Sequence, residues 1–433
     1  MTIEALAEAR DGAGLRPRDL RTLGLAALGG ALEYYDFIIF VFFTGTIGQL
    51  FFPPQTPDWL RQLQTFGLFA AGYLARPLGG ILMAHHGDRS GRKRMFMLSV
   101  LLMALPTLAI GLLPTWSDIG YAAPLALLVL RILQGAAVGG EVPGAWTFVA
   151  EHVPAGRVGF ACGVLTAGLT AGILLGSLVA SAVSHAFTPA QLLAFGWRVP
   201  FLAGGAFGLL AVFLRRLLDE TPVFEDLRRR RALVAGLPLR AVLAGHRRAV
   251  VVSMLLTWLL TAAIVVVILM TPSLVQTLFA IPAPTALSAS SLATLMLTFG
   301  CIAFGLLADR IGAARTLSLG SLVLMLATLA LYHGLAGAPG RLLPLYGFAG
   351  FCVGVVGVIP VLLVNAFPAP VRFSGISFAY NIAYAVFGGL TPLAVTLLMR
   401  GHPLAPAWYV AALCLLGVGL GIALRRRAGT RRA

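Results

Sequence analysis

Gly87-Asp88-Arg89-Ser90-Gly91-Arg92-Lys93-Arg94 is a short charged phrase in an oily chain, and 221 positions later Asp309-Arg310-Ile311-Gly312-Ala313-Ala314-Arg315 repeats its outline. Each phrase lies between two hydrophobic spans, at the same place in its half of the chain. A second pair supports the repeat. Glu151-His152-Val153-Pro154 leads to Arg157 and Gly159, and Phe367-Pro368 leads to Arg372 and Gly375. Two matching pairs at near-constant offset are the mark of a chain built from two homologous helical bundles.

Working outward, the apolar segments run about 20 residues or more, the length needed to cross a bilayer core of about 30 Å. Twelve are predicted: 20–48, 61–84, 95–113, 119–148, 158–184, 197–217, 249–279, 287–308, 316–335, 342–364, 374–399 and 406–424. Backbone groups in lipid must bond within their own segment, so these spans are helices; the ten-residue alternation of a transmembrane barrel does not appear. With 59% hydrophobic and 11% charged residues and a mean hydropathy of +0.91, an ordinary soluble domain is excluded. The expected fold is an all-α membrane protein of twelve transmembrane helices in two pseudo-symmetric six-helix bundles. The domain reading is an N-terminal tail over 1–19, a bundle over 20–217, a linker over 218–248, a second bundle over 249–424 and a tail over 425–433. The first residues (Glu4, Glu8, Arg10, Asp11, Arg16) are too charged and acidic for a secretory leader, so span one is expected to stay as an anchor.

The net charge of +16 reports topology rather than a nucleic-acid partner. Of 32 Lys and Arg, 26 fall on the side that carries both termini and the linker. That bias places both termini in the cytoplasm and suits a multi-pass protein of the bacterial inner membrane. The linker run Arg228–Arg231 either docks on anionic headgroups or is simply solvated. Cys162, Cys301, Cys352 and Cys414 lie within apolar spans and read as packing residues, with no disulfide and no metal site. Gly417-Val418-Gly419-Leu420-Gly421 has no strand before it and reads as helix packing. No phosphate loop, zinc-protease helix or nucleophile elbow is present, so neither an enzyme nor a cofactor is expected.

A charge near the bilayer centre costs about 2.5–3.5 kcal/mol on insertion scales and marks a candidate functional site. Five such residues are predicted inside spans, all in the first half: Glu33, Asp36, Arg76, Arg131 and Glu141. Glu33 and Asp36 sit at i, i+3 on span one, and Arg131 at similar depth on span four. Arg131, Gln134, Val138 and Glu141 form a stripe at helical spacing, with Glu141 about 15 Å from Arg131 at 1.5 Å per residue. Arg131 is expected to pair with Asp36, and Arg76 with Glu141, the latter as gate or as clamp. Tyr34, Tyr35, Trp146 and Trp258 line a cavity or simply pack. The second half offers neutral groups: Gln276, Asn365, Tyr380, Asn381 and Tyr384.

These residues carry a resemblance. Glu33-Tyr34-Tyr35-Asp36-Phe37, Ala75-Arg76-Pro77-Leu78-Gly79-Gly80, Gly87-Asp88-Arg89-Ser90-Gly91-Arg92, Gln134-Gly135 with Gly139-Gly140-Glu141, Gly196-Trp197-Arg198-Val199-Pro200-Phe201, Glu220-Thr221-Pro222 and Tyr380-Asn381 follow one another at family-like spacing. In this the chain resembles the metabolite:proton symporters of the major facilitator superfamily over nearly its whole length. The resemblance implies alternating access and uptake of a solute with protons; members carry citrate, 2-oxoglutarate, shikimate, proline or glycine betaine. It departs in two places. Val158 separates Arg157 from Gly159, and Ala313 and Ala314 stand where the first phrase has Arg92 and Lys93.

The expected mechanism is proton-coupled uptake of a small organic anion, a mono-, di- or tricarboxylate. Arg131 would hold the carboxylate, with Tyr34, Gln134, Trp258, Asn381 and Tyr384 around it. Asp36, with Glu33, would carry the proton. Asp88, Arg89, Gly91, Arg92, Arg76, Glu141, Glu151, Arg157, Asp309 and Arg310 would gate the path, Asp88 by facing the start of span eleven as the resemblance implies. The alternative is a zwitterionic osmolyte of the proline/betaine type, its quaternary amine held by Trp258 and the tyrosines. An exporter is less favoured, because span five lacks the Gly-Pro pair usual in proton antiporters of this superfamily. The partners expected are the solute, protons and the bilayer, with the chain a monomer.

Overall fold

A computed structural model describes residues 15–217, 219–229 and 238–430. Among them the chain is helical throughout, without strands. Twelve long helices follow one another: α1 (Pro17–Phe42), α2 (Asp58–Ser90), α3 (Arg92–Leu112), α4 (Ala122–His152), α5 (Val158–Ala186), α6 (Arg198–Arg216), α7 (Arg247–Ala262, running on to Phe279), α8 (Ala283–Ile311), α9 (Ala313–Gly337), α10 (Leu342–Val353, running on to Ala366), α11 (Arg372–Ala383, running on to Met399) and α12 (Ala405–Thr430). Eleven are long and apolar enough to cross a membrane; α2 completes the set, with Arg76 as the single charge in 66–83. The chain is a multi-pass membrane protein. Several ends differ from the expected spans: α1 covers Pro17–Phe42 rather than 20–48, α2 covers Asp58–Ser90 rather than 61–84, and α12 runs to Thr430, since charged flanks can stay helical beyond the apolar stretch. The linker is not all loop, since Pro222–Arg229 and Pro238–Gly245 are helical.

The helices of the first half pack on one another through glycine. A Cβ on Gly135 would collide with the Gly72 carbonyl, on Gly79 with that of Ala136, and on Gly139 with that of Arg76. The α2 and α4 backbones therefore touch, as small residues permit in lipid. The same device joins the halves where α5 meets α8: Gly159 and Gly163 face Gly305.

Both charged phrases turn on a glycine of positive φ, Gly91 (+113°) and Gly312 (+92°), each ending one helix and starting the next. These torsions are strained for any residue with a side chain. Three helices of the second half break their regular winding. Ala263–Met270 in α7 and Tyr384–Gly388 in α11 are π-turns, and Gly354–Val358 in α10 is a 3₁₀ turn. Such turns recur at functional sites.

Candidate solute and proton site

The three irregular turns meet the first bundle around a cavity of about 40 Å³. Each turn contributes one lining residue (Ile264, Val356 and Tyr384), while Tyr34, Trp146 and α5 supply the opposite wall. The space holds a water molecule and no organic solute, so a solute enters only after the walls part. Of the expected solute ligands, Tyr34 and Tyr384 line this cavity; Arg131, Gln134, Asn381 and Trp258 do not. Trp258 stacks on Phe387 at 4.4 Å and donates to Tyr409 Oη at 3.0 Å, which turns it into the second bundle.

Arg76 stands beside the cavity instead. Its guanidinium lies 4.2 Å from the ring centre of Tyr384, 5.4 Å from Tyr380 and 5.6 Å from Tyr73. Tyr380 and Tyr384 also line the cavity. Arg76 Nε donates to Asn381 Oδ1 at 3.4 Å, and Nη2 makes no hydrogen bond among the described residues. Asn381 uses its amide to bridge the halves, donating to the Gly139 carbonyl at 2.6 Å. Arg76 does not pair with Glu141. Facing aromatic rings from the other bundle, it is a fully buried cation, and no carboxylate pairs with it among the described residues.

The partner of Glu141 is Arg215, which also binds Glu33. One nitrogen, Arg215 Nη2, lies 2.6 Å from Glu33 Oε1 and 3.0 Å from Glu141 Oε1. Its Nη1 donates to the Phe96 carbonyl at 2.8 Å, and the guanidinium sits 3.4 Å from the centre of the Phe96 ring. All three charges are buried. Arg215 is one of the 26 basic residues on the side of the linker, and with Arg216 after it reads in the sequence as part of a basic flank. Its signal is a small-residue stripe on α6: Gly204, Gly208, Ala211 and Arg215 recur at helical spacing, all buried. Glu33 is thus clamped by an arginine, while its i+3 neighbour Asp36 is not.

Asp36 and Arg131 are both fully buried, yet they form no ion pair. Arg131 lies against the faces of Phe40 and Phe37 and donates to Gln134 Oε1 at 2.8 Å; Gln134 donates in turn to Thr107 at 2.7 Å. The Asp36 carboxyl turns toward α6. A Cβ on Gly204 would come 2.5 Å from its Oδ1, and one on Gly208 2.9 Å from its Oδ2. Neither oxygen has a hydrogen-bond partner among the described residues. The expected pair fails because the glycine-lined face of α6 accepts the carboxyl, whereas aromatic rings hold the guanidinium.

At the end of the molecule that carries the linker, each charged phrase reaches the opposite bundle. Asp88 accepts from the Ser374 amide at 2.9 Å, at the start of α11. Asp309 accepts from the amides of Gly159 (2.6 Å) and Phe160 (2.8 Å), at the start of α5. Helix N-termini offer free amides and a positive dipole end, so both carboxylates are well placed. Glu151 adds an ion pair with Arg372 at 2.9 Å and accepts from Thr221 at 2.9 Å. Arg89, Arg157 and Arg310 are exposed; Arg89 lies 3.3 Å from His85 Nε2. The Arg92 side chain is outside the described residues.

Residues 26–392 match the sequence profile of the Major Facilitator Superfamily. The chain belongs to this superfamily. It is a transporter and not an enzyme. A protein of Staphylococcus aureus (strain COL) named "Putative proline/betaine transporter" is 31% identical over 401 residues, covering 92% of this chain and 86% of that one. The citrate-proton symporter of Klebsiella pneumoniae is 30% identical over 404 residues, covering 92% and 90%. A glycine betaine/proline/ectoine/pipecolic acid transporter of Dickeya dadantii (strain 3937) is 29% identical over 420 residues, covering 94% and 83%. In fold, the chain matches the proton:xylose symporter XylE of E. coli with a TM-score of 0.77 at 19% identity, over 92% of this chain and 94% of that one.

Proposed function

We propose that this major facilitator protein takes up a small carboxylate-bearing solute together with protons, and that a zwitterion of the proline/betaine type is the solute. The observation that carries this reading is Arg76, a buried guanidinium that pairs with no carboxylate among the described residues and is roofed by cavity-lining tyrosines. A carboxylate is a group that a guanidinium matches in both charge and fork geometry. Proline, betaine and citrate all carry one, so the named relatives agree on this group and differ in the rest. The surrounding aromatic faces suit an ammonium centre. A tricarboxylate would bring three charges to a wall with one guanidinium, and surplus buried charge is costly. This exchanges the order of the two solute classes expected from sequence.

Asp36 is the proposed proton carrier. A buried carboxyl without a polar partner is tolerated when neutral, so it holds a proton while this side is closed. Rocking that admits water beside α6 would release it. Asp88, Asp309 and Glu151 are the proposed latch of the closed side, which the basic excess assigns to the cytoplasm of a bacterial cell, at the inner membrane.

Uptake of labelled betaine and of labelled citrate into proteoliposomes tests this, with membrane potential and pH gradient set separately. A zwitterion with one proton moves one charge, so 100 mV supplies about 2.3 kcal/mol, roughly a fifty-fold accumulation. A monoanion with one proton is electroneutral and draws on the pH gradient alone. Betaine or proline uptake that responds to both gradients is the expected result. Citrate uptake without betaine uptake would point to the organic-anion reading.

A further inference from the structure

A second cavity, of about 470 Å³, lies away from the solute path. It is a groove on the outer wall of the first bundle, where the linker-side ends of α2, α3 and α6 meet. Its lining is graded. His86, Arg94 and Arg216 stand at the helix ends, while Leu98, Leu101 and Val212 lie deeper. Leu98 and Leu101 follow Arg94 by four and seven residues, about 6 and 10 Å further into the bilayer; Val212 precedes Arg216 by about 6 Å. Leu98 and Leu101 are exposed, as lipid-facing side chains are.

Arg94 and Arg216 are exposed too, and neither guanidinium has an ion-pair partner among the described residues. The nearby acid is already engaged: Glu220 accepts from the Lys93 and Thr221 amides. Lys93 Nζ donates to the Arg216 carbonyl and adds a third positive charge. A basic mouth over an apolar floor, open to the bilayer side, matches one kind of occupant. A soluble anion would leave the floor uncovered, and a soluble peptide would have to descend below the headgroups.

We propose that this groove binds one phospholipid with a net anionic headgroup, its phosphate between Arg94 and Arg216 and an acyl chain along Leu98, Leu101 and Val212. Basic pockets between membrane helices on the positive side take such headgroups, and guanidinium groups match phosphate geometry. The bound lipid would join the start of α3 to the end of α6. The site depends on neither the solute nor the proton reading.

Native mass spectrometry of the purified full chain in detergent tests this, with titration by dioleoyl phosphatidylglycerol, dioleoyl phosphatidylcholine and sodium phosphate. The parent should retain one phosphatidylglycerol in preference to phosphatidylcholine. R94Q/R216Q should weaken that retention by roughly thirty-fold, about fivefold for each basic residue. R94K/R216K should lose much less. L98W, which fills the groove from its apolar end and leaves the charges in place, should also lose the lipid. The proposal is overturned if R94Q/R216Q and L98W hold phosphatidylglycerol as the parent does. Equal retention of phosphatidylcholine would overturn it as well, as would displacement by millimolar phosphate, the sign of a plain anion site.

Discussion

Replacing Arg215 with methionine would keep most of the side-chain volume and remove the charge on which Glu33 and Glu141 converge. Both carboxylates approach the same nitrogen, at 2.6 and 3.0 Å, and all three groups have 0–2% of their side-chain surface exposed. Removing one partner of a buried ion pair typically costs about 3–5 kcal/mol, because the remaining charge is left without compensation. Here two carboxylates are stranded, and the Phe96 carbonyl loses its donor as well. At about 2–4 °C per kcal/mol for a unit of this size, the melting temperature should fall by roughly 6–20 °C. The assay is thermal unfolding of purified protein in detergent. Glu33→Gln and Glu141→Gln added to Arg215→Met should recover at least half of the loss, since the stranded charges are then gone. A melting temperature within about 2 °C of the parent for Arg215→Met alone would refute the clamp. So would a triple variant no better than the single one.

Asp36→Asn should abolish accumulation driven by a pH gradient while sparing solute counterflow, measured in proteoliposomes; full accumulation would remove Asp36 from the coupling role. Arg76→Ala should weaken solute binding by about a hundredfold, on the order of 3 kcal/mol for a charged hydrogen bond, and Arg76→Lys by less; equilibrium binding of labelled betaine reads both. Gly204→Ala should lower pH-driven uptake, because its methyl would crowd the Asp36 carboxyl; unchanged uptake would show that the cradle is not needed. Asp88→Asn with Asp309→Asn should raise thiol labelling of a cysteine placed at the linker-side mouth at least severalfold, and unchanged labelling would count against the latch.

The helical architecture was legible because two signals in the sequence are independent of tertiary contact: apolar length and the repeated charged phrase with its glycine. Partner choice was not. Arg76 meets Asn381 across 305 positions, and no local pattern says which face of α11 docks on α2. The Arg131–Asp36 pairing was inferred from equal depth alone, while the rotation of α1 about its axis sends Asp36 to α6. Arg215 was hidden by its place next to Arg216, where a basic pair ending a span reads as a flank. Its glycine stripe is visible only once the buried face of α6 is known.

The backbone contact between α2 and α4 has a consequence for how the molecule opens. Where Gly79, Gly135 and Gly139 leave no room for even one methyl group, two helices cannot slide past each other and must travel as a single strut. Arg76 is rooted in that strut, whereas two of its aromatic neighbours, Tyr380 and Tyr384, belong to α11. In the rocking proposed above, the two α11 rings would therefore lift away from a stationary cation.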